Sequence, residues 1–493
     1  MIRSRSRPWL CALPLALLTG CPTPMAVDDA AVPIGDAAPD AYAPHDAGVD
    51  AFVATDAFVA TDAFVSGDAP DAPDAFDAPD SPDAYVRPAP TFSAAEMAIL
   101  HTLSPLPALR PDPTNPVATS AAAATLGHEL FFDARYSGPL AIDSDLGTAG
   151  QSGRVACASC HAGDVMADTR STPANVSLGT NYHTRNAPAL VNSARYQWTN
   201  WGGRFAAQWE LPPAVAENAI IMNSSRLAIA HLIFDHYRTE YEAIFGAMEP
   251  AIGTDTTRFP LTGKPNATTP GPWESMTMAD QATVNRIFAN FGMAIAAYVR
   301  TLVTTDSDFD RFVAGDPNAL DIDAQWGLRV FMGDGRCVGC HAGPNFSDDE
   351  FHNLGVAQTG PHVPAMDEGR FSSIPMELTS PINVASGISG DPIAGAALLA
   401  GLTNPAPAST HGQFRTASLR DVSLSAPYMH AGQFATLEDV IAFYDMGGAT
   451  PVSGTRDPLV LPLGLSTQER SDLLAFLGSL DTDPVPMALR SAP

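Results

Sequence analysis

Cysteine is scarce in this chain, and none is left over for cross-linking. There are six cysteines in 493 residues. Four fall in two pentapeptides, and the others, Cys11 and Cys21, sit at the extreme N-terminus, so a disulfide framework is excluded as the source of stability. Positive charge is also short, with 26 Lys and Arg against 54 Asp and Glu and a formal net charge of −28. That excess argues against nucleic acid and anionic membrane surfaces as partners. The apolar run near the N-terminus, Leu10 to Leu18, is too short to span a bilayer as a helix. No succession of alternating apolar and polar runs marks strands, which leaves a mainly α-helical fold.

What is present is a pair of Cys-x-x-Cys-His segments, Cys157-Ala-Ser-Cys160-His161 and Cys337-Val-Gly-Cys340-His341, 180 residues apart and each continuing Ala-Gly. This spacing is the attachment signature of covalent c-type haem. Two thiols reach the two vinyl groups of one porphyrin, and the adjacent imidazole takes the proximal position on iron. A zinc site would want four ligands close together, and neither motif has a second Cys pair nearby. Cys157, Cys160, Cys337 and Cys340 are therefore read as attachment residues and His161 and His341 as iron ligands, for two covalently bound haem c groups. Two such groups imply redox use.

Arg3, Arg5 and Arg7 precede the apolar run, which closes on Leu18-Thr19-Gly20-Cys21. That ending resembles a bacterial lipoprotein box, so residues 1–20 read as a lipoprotein-type signal peptide and Cys21 as a lipid anchor, the only membrane contact expected. An ordinary secretory signal is the alternative. Either one delivers the chain to the cell envelope, on the periplasmic or surface side. Residues 21–90 hold fourteen Asp, no Glu and one Arg, with Asp50-Ala-Phe-Val-Ala-Thr recurring from Asp56 and again, truncated, from Asp62. Regular prolines and uncompensated charge cannot bury enough apolar surface to offset chain entropy, so this stretch reads as a disordered acidic tether. Three copies of a six-residue period are too few to stack as a solenoid.

The rest divides naturally into two c-type cytochrome-like haem domains packed together, 91–315 and 316–493, with one motif each. Val284, Ile287, Phe288, Phe291, Ile295, Tyr298 and Leu302 recur at three- and four-residue steps and mark a long helix with a buried stripe. Ser466 and Glu469 form a capping box ahead of Leu473, Leu474 and Leu477. Thr436 opens another helix, carrying Leu437, Val440, Ile441 and Tyr444. Residues 251–273 and 359–415, rich in Pro and Gly, read as long loops.

Over residues 121–480 the chain resembles the bacterial di-haem cytochrome c peroxidases, including the MauG-like branch that oxidises protein side chains. The resemblance rests on Leu126-Gly-His-Glu-Leu-Phe-Phe-Asp133, Arg185-Asn-Ala-Pro188, Trp201-Gly-Gly-Arg204, Phe351-His-Asn-Leu-Gly355, Ser418-Leu-Arg-Asp421 and Ala426-Pro-Tyr-Met-His-Ala-Gly432. It implies that the N-terminal haem reacts with hydrogen peroxide and the C-terminal haem transfers electrons. It also implies that Trp201 lies between the haems and couples them. Asn186, Ser425 and Pro427 fall where relatives bind Ca2+, although Ser425 replaces the usual Thr. Fourteen residues after His430, where ordinary peroxidases of the family carry a Met ligand to the second haem and the MauG-like branch a Tyr, stands Tyr444. A phenolate favours ferric iron, whereas Met favours ferrous. Met446 and Met429 remain as alternative ligands.

The resemblance breaks at the peroxide site. Relatives keep a Gln ten residues and a Glu twenty residues after the bridging Trp, for the proton movement that O–O cleavage requires. Here those positions are Leu211 and Ile221, with the following Met kept as Met222. Glu217, Glu210 and His183 are the candidates to replace them. Two functions follow. The first is a peroxidase or MauG-type oxidoreductase drawing electrons from a small cytochrome or copper protein, or from a protein side chain. The second is a di-haem electron carrier or sensor that has lost peroxide turnover. A homodimer is compatible with both.

Overall fold

The computed structural model describes residues 87–168 and 176–493. The signal segment, Cys21 and almost all of the Asp-rich stretch lie outside the described residues. Thirteen α-helices occur among the described residues: α1 (Ala94–Leu103), α2 (Ala121–Phe132), α3 (Leu211–Glu217), α4 (Arg226–His236), α5 (Arg238–Phe245), α6 (Met278–Val299), α7 (Asp308–Val313), α8 (Ile322–Met332), α9 (Arg370–Leu378), α10 (Pro392–Leu399), α11 (Leu437–Asp445), α12 (Thr467–Gly478) and α13 (Met487–Arg490). The only sheet among them is a pair of two-residue strands, β1 (Phe351–His352) and β2 (Phe414–Arg415), antiparallel with Phe351 opposite Arg415. The fold is mainly α, and no described helix is long and apolar enough to cross a membrane.

Local chemistry starts the helices where it should. Ser120, Thr277, Asp321 and Thr436 each accept from a backbone N–H in the first turn of α2, α6, α8 and α11, and Ser466 with Glu469 closes the capping box of α12. The helix expected from the 284–302 stripe is α6. It ends at Val299, and Leu302 is buried in the turn beyond it.

Two helix crossings organise the molecule, and glycine permits both. A Cβ on Gly127 in α2 would lie 1.9 Å from the Ala294 carbonyl oxygen of α6, and one on Gly327 in α8 would lie 1.9 Å from the Asp472 carbonyl oxygen of α12. Only a residue without a side chain allows backbones this close. Each crossing anchors its own apolar core. Leu126, Leu130, Phe131, Phe288, Phe291 and Tyr298 belong to the first, and Leu328, Phe331, Phe346, Leu473, Phe476 and Leu477 to the second.

The cores do not follow chain order. Leu100 and Leu103 of α1 belong to the second core although they precede the first motif, whereas Ile382, Val384, Leu399 and Val485 join the first. The stretch 359–415, expected as loop, contains α9 and α10. Pro375 inside α9 and glycine in α10 hid them. Gly395 in fact packs against the Val384 carbonyl, and Asp391 caps α10 ahead of Pro392 at its first position.

Candidate functional site

Both Cys-x-x-Cys-His motifs form one short 3-10 turn, Cys157–Ser159 and Cys337–Gly339, placing each His N–H on the first Cys carbonyl at 3.0 Å (His161) and 2.8 Å (His341). The chain then doubles back through Gly163 (φ 74°) and Gly343 (φ 68°), and through Met166 and Phe346, both left-handed. This loop delivers a carbonyl to each imidazole. His161 Nδ1 lies 3.1 Å from Met166 O, and His341 Nδ1 lies 2.9 Å from Phe346 O. A carbonyl can only accept, so Nδ1 carries the proton and Nε2 keeps its lone pair. Burial pushes both imidazoles below their usual pKa, which keeps them neutral as ligation demands. None of the four motif cysteines is in a disulfide.

Residues of both motifs line one continuous cavity of about 740 Å³. Phe131, Leu190, Val191 and Ile295 wall it beside the first motif, and Leu437, Ile441, Leu473 and Leu477 beside the second. Although the chain is acidic, the charged side chains on this wall are mostly arginine: Arg185, Arg204, Arg336, Arg415 and Arg420, with Asp367 as the one carboxylate. Arg185 is held by Asp367 through two 2.6 Å contacts and Arg420 by buried Asp310. By contrast, Arg204 Nε and Arg415 Nε are buried with no acceptor among the described residues. Apolar walls, two neutral imidazoles and spare buried cations fit a porphyrin carrying two carboxylates at each motif.

Trp201 lines the cavity and is tied on both sides. Its indole N–H donates to Asn186 O at 2.7 Å, and its carbonyl accepts from Arg415 N–H of β2 at 2.8 Å. Tyr444, on α11, faces the cavity near Cys337 and Cys340, and burial drives its hydroxyl pKa upward. Met446 caps the same helix 70 % exposed and does not line the cavity, while Met429 lies on the cavity wall.

Leu211, Ile221 and Met222 line the cavity, so the register read from Trp201 puts apolar groups on that wall. Glu217 does not line it. Its carboxylate grips Arg226 at 2.9 and 2.7 Å and also accepts from the Arg226 backbone N–H, because α3 turns this residue towards the start of α4. Glu210 is 2 % exposed and faces Glu377 and the Val384 N–H instead of the cavity. Of the three candidates only His183 lies on the wall, with Nδ1 near both the Arg185 N–H and carbonyl, and burial lowers its pKa. Asn186, Ser425 and Pro427 also reach the cavity, with Asn186 Nδ2 3.5 Å from Pro427 O. Asn186 O accepts from Trp201 and its Oδ1 from Ser177, and Ser425 donates to Val422 O.

Sequence reasoning passed over His430, known then only as a counting origin. It is 3 % exposed, stacks on Phe414 at 3.8 Å and lines the cavity with its pKa pushed down to about 3 by burial. Cys340, Asp348 and His352 also converge. They form no metal set once Cys340 is used for attachment.

The chain matches the family model described as di-haem cytochrome c peroxidase over residues 121–318. It is 34 % identical to the cytochrome-c peroxidase IdrP1 of Denitromonas iodatirespirans, over 80 % of this chain and 90 % of that protein. It is 30 % identical to the methylamine utilization protein MauG of Methylophilus methylotrophus, over 73 % and 82 %. Among solved structures it resembles a MauG-like protein associated with microbial copper homeostasis, with TM-score 0.53 and 26 % identity over 79 % of this chain and 98 % of that one. A cavity shared by two haem-attachment motifs and relatives of this similarity agree: the chain belongs to the di-haem cytochrome c peroxidase family, in which MauG also falls.

Proposed function

We propose that this protein reduces hydrogen peroxide at a haem held by Cys157, Cys160 and His161, with electrons arriving through a second haem held by Cys337, Cys340 and His341. The observation that carries this reading is the single cavity lined by both motifs, with each histidine Nε2 left available by a carbonyl on Nδ1. Haem bound there supplies the iron at which peroxide accepts two electrons. The chain's own residues do the rest. Trp201, which lines the cavity and is fastened by Asn186 and Arg415, is the aromatic group assigned as the bridge between the two haems. Tyr444 offers a hydroxyl to the second site, and Arg204 and Arg415 offer charge to cofactor carboxylates. Proton movement at the first site is assigned to His183, which of the three candidates alone lies on the cavity wall. Electrons come from a small redox protein or from a protein side chain, in the cell envelope, with the chain tethered through Cys21.

A second reading has one observation in its favour. Leu211 and Ile221 present hydrocarbon where relatives present an acid and an amide, and a wall without them suits electron carriage or sensing. Rapid mixing of haem-loaded protein with one equivalent of peroxide separates the two. Fast change of the Soret band, slowed by His183→Ala, supports turnover, and a spectrum unchanged even after one-electron pre-reduction refutes it.

A further inference from the structure

Behind the cavity wall lies a charged cluster that the proposed reaction leaves unused. Glu210 and Glu377 are 2 % and 1 % exposed, and their carboxyl groups face one another. Glu210 accepts from Ala207 N–H at 2.8 Å and from Val384 N–H at 2.6 Å. Glu377, on the last turn of α9, lies near the Ala206 backbone, and its Oε1 has no donor among the described residues. Two buried carboxylates side by side repel when both are ionised, and the unpartnered Glu377 Oε1 leaves room for a proton that relieves the repulsion. Burial raises the proton affinity of both carboxyl groups, and the charge of Glu377 adds to the effect at Glu210, while Arg204 and Arg370 pull Glu377 the other way.

The groups facing this pair are Arg204 and Arg370, with Glu350 acting on Arg370 from the other side. Arg370 is fixed between the rings of Trp198 (4.3 Å) and Phe351 (4.2 Å) and donates to Gly203 O, so it cannot swing away. Arg204 reaches the cavity and keeps a buried Nε without an acceptor among the described residues. With one proton shared, the pair carries one negative charge against two guanidinium groups. Glu350 offsets Arg370, so the pair's remaining charge faces Arg204, and Arg204, which also lines the cavity, links the pair electrostatically to whatever charge the cavity holds.

We propose that Glu210 and Glu377 form a redox-linked proton site. The pair takes one proton from solvent when the cavity gains one electron from a small redox carrier, the new O–H bond forming at Glu377 Oε1. Loss of the electron reverses both. An added negative charge beyond Arg204 weakens the positive potential at the pair and strengthens its hold on a second proton. The proposal rests on the reading that redox-active haem occupies the cavity, and it does not need peroxide turnover.

The test is a spectroelectrochemical titration of the haem-loaded protein from pH 5 to 9, compared with Glu377→Gln and Glu210→Gln. In the wild type at least one haem potential falls as pH rises through neutrality. In Glu377→Gln, whose amide donates to Glu210 without an exchangeable acid proton, that dependence disappears while haem content and the ferric spectrum stay as they were. A slope that survives both substitutions assigns the proton elsewhere, to a haem carboxylate or His183, and overturns the proposal. If the variants do not fold, redox-difference infrared spectra of the wild type in H2O and D2O decide: reduction brings in a deuterium-sensitive protonated-carboxyl band, and its absence overturns the proposal. A purified chain without covalent haem overturns the cofactor reading and this proposal together. A haem-loaded chain inert to peroxide overturns only the catalytic reading.

Discussion

Replacing Gly327 with Ala puts one methyl group where the α8–α12 crossing has no room. The new Cβ would stand 1.9 Å from the Asp472 carbonyl oxygen, 2.4 Å from its carbon and 2.8 Å from Phe476 Cβ. Ordinary carbon–oxygen contact begins at roughly 3.3 Å, so the helices must part by more than an ångström. The obstacle is backbone, which cannot turn aside as a flexible side chain does. Parting the helices loosens Leu328, Phe331, Leu473, Phe476 and Leu477 together, and overpacking of this kind costs about 3 kcal/mol. Alanine's better helix propensity returns about 1 kcal/mol, which leaves a net loss near 2 kcal/mol. Gly478, in the last turn of α12, has nothing within 4 Å of its Cβ position, so Gly478→Ala gains the propensity without the clash. Denaturant unfolding followed by far-ultraviolet circular dichroism reads both. Equal or greater stability of Gly327→Ala relative to Gly478→Ala would falsify the close-crossing argument.

Glu217→Gln loses about 3 kcal/mol of stability, because Arg226 is left partly buried without its counter-charge. Peroxide consumption per haem stays unchanged, and a selective loss of turnover would return Glu217 to the active site. Tyr444→Phe alters the ferric visible spectrum and raises one haem potential, whereas Met446→Ala changes neither. A spectral change in Met446→Ala instead would sink the ligand assignment. Stability also depends on pH through Glu377, which burial raises to about 7. A carboxyl whose pKa is higher folded than unfolded stabilises fully below about pH 4.5 and loses that contribution as pH climbs through 7. Unfolding midpoints at pH 5 and 8 should show this loss, flattened in Glu377→Gln. A wild-type midpoint as high at pH 8 as at pH 5 contradicts the shift.

Much of the site was legible before folding. Cys157, Cys160, His161 and their counterparts declare themselves because thioether attachment imposes a fixed local spacing. Caps such as Ser466 with Glu469 and Thr436 were legible for the same reason, since they act over three residues. The distal assignments were not. Glu217 sits one turn from Ile221 in sequence, yet α3 hands it to Arg226, a partner nine residues on. Nor did any local pattern mark α9, whose Pro375 and small residues resemble a loop until Arg370 and Glu377 meet the Trp201 segment.

The sequence by itself determined the haem-attachment chemistry, the helical character and the family, because each is written in short-range spacing that survives without a fold. Only tertiary structure decided which charged groups reach the cavity. His183, His430 and five arginines line it, while Glu217 and Glu210 turn away. It also paired Glu210 with Glu377, 167 residues apart in the chain. A carboxyl group's role follows from its neighbours in space, and those neighbours are chosen by the packing of whole helices.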